Sequence, residues 1–525
     1  MRKHPLMIFL LVTGTLAATR ATVPMRESVG SAALAAQSCE SLMSLKLPDT
    51  VIALAQRVPS GTFAPPRPFS AAGPRGGVTV IAAGDIPEFC RVGGIITPSK
   101  DSQIKFEVWL PTTDWNGKFI AMGNAGFAGT ILYELMGPPL SRHYAVATTD
   151  GGHEGAGLDA SFAVGHPEKL IDFAYRAVHE TTVKAKQIVE AYFGRAPKFS
   201  YWDGCSCGGV QGFSEAQRYP ADYDGIIAGA PVISLTHLTA TAVWRLRTIE
   251  ETPGGLVPPA KLALLHQAVL DACDARDGLK DGLLQDPRRC DFDPGVLECK
   301  SDKDTDCLTR AQVSVVRKFY APLVNPRTNA PVFPGLERGG EAIWGDMVAS
   351  NRYGTGQWLR DAVFQDPNWD YRKFDFDSGI TAADRLDDGL MTPNRIPQEF
   401  FRRGGKLLHY HGWSDPGVSP RSSVEYYEHV RASMGGDSRT QQSYRLFMVP
   451  GMAHCFNGDG PNTFDPIDAI EHWVEHGQAP DRIIAAHWMA GKIDRTRPLC
   501  PYPQVAVYKG TGSVDEAANF VCKPQ

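Results

Sequence analysis

One serine in the sequence lies in a setting that suits nucleophilic catalysis. The stretch YWDGCSCGGVQGF places Ser206 between Gly204 and Gly208 in a G-x-S-x-G pattern, with strand character before it and helix character after it. This context predicts a sharp strand-to-helix turn that exposes the hydroxyl, with the amide of Cys207 available to an oxyanion. Because glycine and serine are common, a glycine-rich turn that merely closes a strand is the alternative.

A serine nucleophile needs a base, and the base needs a carboxylate that orients it. Downstream of the serine, Asp415 follows a predicted strand in LLHYHGWSDPG, and His454 follows another in RLFMVPGMAHCF. Taken alone, Asp415 is equally well explained as a surface turn residue, and a loop histidine is more often a packing residue. The order serine, acid, histidine, each after a strand, predicts a catalytic triad.

The N-terminal residues 1–21 predict a cleavable signal peptide. A basic start is followed by an apolar run too short to span a bilayer, and then by small residues that suit cleavage after Ala21. An ordinary buried helix is the alternative. The pattern predicts a protein that is secreted or periplasmic, in a compartment where most of the eleven cysteines form disulfides.

The composition is that of a globular protein. The chain has 525 residues, 43% of them hydrophobic and 21% charged, with a net charge of −5. No block of lysine and arginine predicts nucleic acid as a partner, and no stretch after the N-terminus approaches the length of a membrane span. The sequence leaves the oligomeric state open.

The elements that must hold these residues follow an α/β pattern. Alternating strand-like segments and a helical segment ending at Gly194 predict a mainly parallel sheet with helices on both faces. This pattern stops near residue 235 and resumes near 401. We therefore predict a core in two parts, residues 22–234 and 401–525, with residues 235–400 inserted as a lid domain.

The sequence resembles the tannase and feruloyl esterase family of secreted carboxylesterases in three stretches, GCSCGGVQGFSEAQRYPADYDGIIAGAP, HGWSDP and PGMAHC. The resemblance runs from about residue 37 to the C-terminus. It implies an α/β-hydrolase fold with an inserted lid, Ser206 as nucleophile, His454 as base and Asp415 as orienting acid. It also implies that Cys205 and Cys455 form a disulfide that ties nucleophile and base together, although the sequence alone also permits two buried thiols.

The resemblance implies four further disulfides, namely Cys39–Cys90, Cys273–Cys290, Cys299–Cys307 and Cys500–Cys522. It leaves Cys207, where the family usually has a small polar residue, as the unpaired cysteine. Competition between Cys207 and Cys205 for Cys455 is the alternative. For the second oxyanion donor, the loop GNAGFAG is predicted, and the resemblance favours Gly126 within it; a plain glycine turn is the alternative reading.

An acidic stretch in the inserted segment, DACDARDGLKDGLLQD, offers hard oxygen ligands. The resemblance implies a structural calcium ion here, held by Asp274, Asp277 and Asp281 and by the carbonyls of Leu279 and Leu283. A solvated acidic turn is the alternative. No organic cofactor is expected.

The substrate implied by the resemblance is a small ester of an aromatic acid, such as a feruloyl, galloyl or related benzoate ester. Trp358 and Phe364 are predicted to line an aromatic wall, and His411 to face the pocket; most aromatic residues of this segment are equally compatible with lid core. A terephthalate half-ester such as the mono-hydroxyethyl ester is an alternative substrate. A secreted protein that binds phenolic ligands without turnover, and a thiol redox protein using Cys205 and Cys207, are the alternatives of other classes.

Overall fold

The computed structural model describes residues 37–66, 83–155, 157–301, 304–345, 356–393 and 395–524. The predicted signal peptide, residues 1–21, lies outside the described residues. Within them, no helix combines the length and the apolar character needed to cross a bilayer.

The core is a nine-stranded sheet with the order β1-β2-β3-β5-β4-β6-β7-β10-β11. Three small hairpins stand apart from it, formed by β8 with β9, β12 with β13, and β14 with β15. The strands are β1 (Thr50–Val58), β2 (Phe89–Ile96), β3 (Ile104–Pro111), β4 (Lys118–Met122), β5 (Ala145–Thr149), β6 (Phe199–Cys205), β7 (Gly225–Gly229), β8 (Leu323–Val324), β9 (Pro331–Phe333), β10 (Lys406–Gly412), β11 (Tyr444–Val449), β12 (Ile483–Met489), β13 (Lys492–Leu499), β14 (Gln504–Tyr508) and β15 (Phe520–Pro524).

The sheet is mixed rather than parallel throughout. Strands β1, β2, β3 and β5 pair in antiparallel fashion, whereas β5, β4, β6, β7, β10 and β11 are parallel neighbours. The carboxyl ends of β4, β6, β10 and β11 therefore meet at one edge of the sheet. The predicted oxyanion loop, serine, acid and histidine follow these four strands in that order.

Helices cover both faces of the sheet and make up much of the inserted segment. They are α1 (Gly137–Ser141), α2 (Pro167–Ile171), α3 (Ala177–Phe193), α4 (Cys207–Arg218), α5 (Leu235–Glu250), α6 (Pro259–Cys273), α7 (Arg310–Tyr320), α8 (Ser378–Asp387), α9 (Gln398–Arg402), α10 (Pro420–Met434), α11 (Asp437–Thr440) and α12 (Pro466–His476).

Two apolar clusters, one on each face, fix the sheet between its helices. On one face Ile188 of α3, Phe213 of α4 and Val430 of α10 belong to a single buried cluster with sheet residues. On the other face Leu140 of α1 and Ile470 of α12 belong to a second cluster. Burial of such apolar surface is the main stabilising contribution to a fold of this kind.

Residues 235–400 contribute no described strand to the nine-stranded sheet. Their helices and one small hairpin pack into clusters of their own, one around Leu265 and Phe319 and another around Val243 and Phe374. Two disulfides, Cys273–Cys290 and Cys299–Cys307, lie within this segment.

Candidate active site

Ser206 occupies a tight turn between β6 and α4. Its φ of 65° and ψ of −118° lie in a region that non-glycine residues rarely adopt. The turn depends on glycine neighbours, because a Cβ on Gly204 would lie 2.5 Å from the backbone of Gly208. The predicted strand-to-helix turn is therefore present, and the strained backbone presents the serine at the sheet edge.

The serine, histidine and acid form one hydrogen-bonded chain. The His454 Nε2 atom lies 2.9 Å from the Ser206 Oγ, and its Nδ1 lies 2.6 Å from the Asp415 Oδ2. The Asp415 carboxylate is fully buried, whereas the His454 side chain keeps 18% of its surface exposed. One ring nitrogen thus faces the hydroxyl and the other the carboxylate, the arrangement that lets an imidazole take the serine proton.

The Asp415 carboxylate is held from three directions. Its Oδ1 accepts the amides of Gly417 at 2.8 Å and Val418 at 2.9 Å, and its Oδ2 also lies 3.1 Å from the His411 Nε2. Burial opposes ionisation, but His454 and His411 hold the pKa of Asp415 well below its usual range. The carboxylate is therefore ionised and fixed in orientation at neutral pH.

The prediction that His411 faces the substrate pocket is wrong. Its ring is completely buried, with Nδ1 2.6 Å from the Ser423 Oγ and Nε2 against Asp415 and the Val418 carbonyl. His409, two residues earlier on β10, contacts the same serine hydroxyl at 2.9 Å. Every second side chain of a strand points to the same face, so the stretch HYH could have indicated that His409 and His411 share a face of β10. It could not have indicated that both contact Ser423 on α10.

Two backbone amides near the serine are available to an oxyanion. The N–H groups of Cys207 and Gly126 donate to no acceptor within the described ranges. The Gly126 loop is joined to α4, because the Gly208 amide donates to the Asn124 carbonyl at 2.8 Å. The Asn124 amide in turn donates to the Gln211 Oε1 at 3.0 Å. This Asn124–Gln211 contact was not predicted, since nothing in the sequence pairs the two residues.

The cysteines form the five disulfides that the resemblance implies. They are Cys39–Cys90, Cys205–Cys455, Cys273–Cys290, Cys299–Cys307 and Cys500–Cys522. Cys207 is the free, buried thiol, and burial raises its pKa to about 12. A protonated thiol beside a disulfide-bonded Cys205 cannot act as a dithiol, so the redox alternative fails.

Two cavities meet at the serine and the histidine. The first, called here the lid-side cleft, has a volume of about 40 Å³ and an apolar lining that includes Phe127, Leu238 and Trp358. The second, called the core-side chamber, has a volume of about 480 Å³ and lies along the Gly126 loop and the end of β6. Gly126, Ser206 and His454 line both cavities.

The two predicted aromatic wall residues have different surroundings. Trp358 lines the lid-side cleft and packs against Phe127 with ring centroids 5.5 Å apart. Phe364 instead stacks on Trp369 at 5.4 Å and packs on Phe374 in a core of the inserted segment. It lines neither cavity in the described part of the chain, so the pocket role predicted for it is wrong.

The acidic stretch of the inserted segment groups three carboxylates, of which Asp281 already has a cationic partner, because its Oδ2 accepts from the buried Arg497 guanidinium at 2.6 Å. Burial, with the neighbouring charges of Asp281 and Asp274, raises the pKa of Asp277 to about 6, although two backbone amides oppose this. Among the described residues, the carbonyls of Leu279 and Leu283 accept no hydrogen bond. Grouped carboxylates and unsatisfied carbonyls are the ligands that calcium prefers.

Comparison with known proteins matches residues 90–523 to the family described as tannase and feruloyl esterase. An uncharacterized esterase of Xanthomonas campestris is 38% identical, covering 93% of this chain and 92% of that protein. A probable feruloyl esterase B-2 of Aspergillus fumigatus is 32% identical, covering 94% and 98%.

Two solved structures resemble the whole architecture. The crystal structure of feruloyl esterase B from Aspergillus oryzae superposes with a TM-score of 0.84 at 29% identity, over 92% of this chain and 99% of that one. The tannin acyl hydrolase from Aspergillus niger superposes with a TM-score of 0.75 at 21% identity, over 94% of each chain, and shows the shared fold. The chain therefore belongs to the tannase and feruloyl esterase family and is a carboxylic ester hydrolase with an α/β-hydrolase fold.

Proposed function

We propose that the protein is a serine esterase that hydrolyses esters of aromatic acids through an acyl-enzyme formed on Ser206. The observation that carries the proposal is the chain of contacts from the Asp415 Oδ2 through His454 to the Ser206 Oγ. The apolar lid-side cleft beside it supports an aromatic acyl group, as does the similarity to probable feruloyl esterases.

Acylation begins when the His454 Nε2 takes the Ser206 proton and the Oγ attacks the ester carbonyl carbon. The carbonyl oxygen becomes an oxyanion, which the amides of Cys207 and Gly126 stabilise by hydrogen bonds. The imidazolium then gives its proton to the leaving alkoxide, and the alcohol departs. The buried Asp415 carboxylate stabilises the imidazolium in the interval and fixes the tautomer.

Deacylation repeats these steps with water in place of the serine. His454 takes a proton from water, the hydroxide attacks the acyl carbon, and the same two amides hold the second oxyanion. The Ser206 Oγ leaves and regains its proton from His454, and the aromatic acid is released. No redox change is involved, and the atoms of ester and water are all recovered in acid and alcohol.

We further propose that residues 235–400 act as the lid and choose the acyl group. Leu235, Leu238 and Thr239 of α5 line the lid-side cleft together with Trp358. An apolar lining that includes the aromatic rings of Trp358 and Phe127 favours an aromatic acyl group.

The calcium ion is likewise proposed, as a structural ion. Asp274, Asp277 and Asp281 with the carbonyls of Leu279 and Leu283 would hold it, and when bound it neutralises their charge and ties the loop closed by Cys273–Cys290. We also propose that residues 1–21 are a signal peptide that directs export of the protein, and the disulfides support an oxidising compartment.

The test is steady-state hydrolysis of methyl ferulate, methyl gallate, a terephthalate half-ester and p-nitrophenyl acetate. We expect hydrolysis of at least one aromatic ester and a fall of several orders of magnitude in kcat for Ser206→Ala. Ser433→Ala, which changes an exposed serine on α10, is the matched control and should leave kcat unchanged. Equal rates for the wild type and Ser206→Ala would contradict the proposal, and the ranking of the esters identifies the acyl group.

A further inference from the structure

The core-side chamber contains a buried acid that the hydrolytic steps do not use. Asp203 lies on β6, three residues before Ser206, and lines this chamber. The residue is 5% exposed, and its Oδ2 is buried without a hydrogen-bond partner in the described part of the chain. Neither Ser206 nor His454 bonds to it; the triad acid is Asp415.

An unpaired carboxyl oxygen in the interior lowers stability, so its persistence needs an explanation. Burial, with the charge of Asp465, raises the pKa of Asp203 to about 7. A neutral carboxyl has one O–H donor and retains acceptor capacity, so it can both donate to and accept from a hydroxyl group. The Asn124 side chain, another polar group of the chamber, is committed elsewhere, since it donates to the Thr149 carbonyl at 2.7 Å and accepts from Gln211 at 2.9 Å.

The two cavities differ in size and in polarity, as do the acyl and alcohol halves of an ester of an aromatic acid. An ester carbonyl held at Ser206 and Gly126 sends its acyl and alcohol halves in different directions, and both cavities begin at these residues. The lid-side cleft is lined mainly by apolar side chains and suits a planar ring. The core-side chamber, at about 480 Å³, has the size of a small-molecule site and contains Asp203.

We propose that the core-side chamber binds the alcohol half of the ester, and that Asp203 selects alcohols bearing additional hydroxyl groups, such as polyols or sugars. The inference rests on the proposed esterase function. Asp203 is then a specificity residue: it contacts the leaving alcohol by hydrogen bonds and takes no part in proton transfer. An alcohol as small as methanol does not extend into the chamber and gains nothing from it.

The experiment compares two esters that share one acyl group, methyl ferulate and 1-feruloylglycerol. For Asp203→Leu, we expect kcat/KM on the glyceryl ester to fall about tenfold or more, while kcat/KM on the methyl ester changes less than about twofold. Asp203→Asn keeps a donor and an acceptor and should restore most of the glyceryl activity. Ser433→Ala, which changes an exposed serine of α10 outside both cavities, is the control and should leave kcat/KM on both esters unchanged.

A measurement on the wild type keeps the proposal testable if Asp203→Leu does not fold. The acyl-enzyme formed from methyl ferulate can pass its acyl group to an added alcohol, which releases Ser206 and forms a new ester. We expect glycerol to capture the acyl group more efficiently, per mole, than methanol does. Equal capture would overturn the proposal.

Two results with the variants would also overturn it. One is an equal loss on both esters. The other is a loss that follows the ring substituents, seen as a difference between methyl ferulate and methyl cinnamate, because the acyl half would then occupy the chamber. Failure of the wild type to hydrolyse any aromatic ester of the panel is a different result, which refutes the proposed function itself.

Discussion

Replacement of Gly126 by alanine tests the oxyanion geometry most directly. Gly126 has a φ of +57°, and a Cβ built on it would lie 1.9 Å from the Gly157 carbonyl oxygen. An ordinary carbon–oxygen contact is about 3.3 Å, so the loop must shift by about 1.4 Å to accept a methyl group. The Gly126 amide, which we propose as an oxyanion donor, would move by a similar distance.

The expected loss follows from that displacement. A misplacement of about 1 Å costs roughly 10²-fold in rate, and the loss of one oxyanion donor costs about 10² to 10³ in kcat. We therefore expect Gly126→Ala to lower kcat by about 10² to 10³, with a smaller change in KM. The assay is steady-state hydrolysis of an aromatic methyl ester together with a thermal unfolding scan.

Gly165→Ala is the matched control. Gly165 also has a left-handed φ, of +72°, but a Cβ there meets no atom within 4 Å. It carries the conformational cost of alanine at positive φ, about 1–2 kcal/mol, without the clash and away from the site. If Gly126→Ala kept near wild-type kcat while losing as much stability as the control, the Gly126 amide would not be an oxyanion donor.

Four further outcomes are expected. Asp415→Asn should lower kcat by about 10⁴, because an amide favours the wrong tautomer of the histidine; measured kcat near the wild-type value would contradict this role. Joint replacement of Cys205 and Cys455 by alanine removes a disulfide with a sequence separation of 250, and it should lower the free energy of unfolding by about 5 kcal/mol and also lower kcat. An unchanged kcat would show that the disulfide does not position the site. EDTA should lower the Tm of the wild type but not that of Asp277→Asn, and equal responses would refute the calcium site. Burial raises the pKa of Asp203 in the folded state to about 7, above its unfolded value, so the folded state binds the extra proton and stability falls as pH rises from about 4 to 7. Asp203→Asn should therefore be more stable than the wild type by up to about 4 kcal/mol at pH 8 but by far less at pH 5. A stability gain that does not depend on pH would refute the raised pKa.

The sequence was most informative where chemistry and backbone geometry impose the same residues. A Cβ on Gly204 would lie 2.5 Å from the Gly208 backbone, and a Cβ on Gly208 would lie 3.0 Å from the Asn124 carbonyl oxygen, so the turn around Ser206 could be predicted from its pattern. The helix predicted to end at Gly194 is α3, which ends at Phe193 with Gly194 in the left-handed conformation. These are local rules, and a single sequence is sufficient to apply them.

Contacts between distant segments were not predictable in the same way. The inward direction of His411 depends on the register of β10 and on Ser423 of α10, which lies beneath it. The mixed pairing of the sheet places β5 between β3 and β4, an order that no periodicity encodes. The unpaired state of the Asp203 Oδ2 likewise depends on its tertiary surroundings, and the interior positions of β6 are all buried, so the strand pattern does not distinguish this residue.

The aromatic residues show the same limit. Trp358 and Phe364 are six residues apart in one segment, and both are large aromatic residues. Their different surroundings are decided by Phe127 on one side and by Trp369 on the other. Composition predicts that both side chains are buried, but only tertiary packing decides which of them lines a cavity.

The Cys205–Cys455 bond has a consequence for how the inserted segment can vary. The bond closes a covalent ring that contains the whole of residues 235–400, and Ser206 and His454 are next to its closing point. Lengthening or shortening of the insertion changes the size of the ring, and proteolysis within it opens the ring elsewhere. Neither change breaks the disulfide. A molecule cut within the insertion thus remains a single covalent unit until it is reduced. The segment that we propose selects the acyl group is in this way free to diverge without separating the nucleophile from its base.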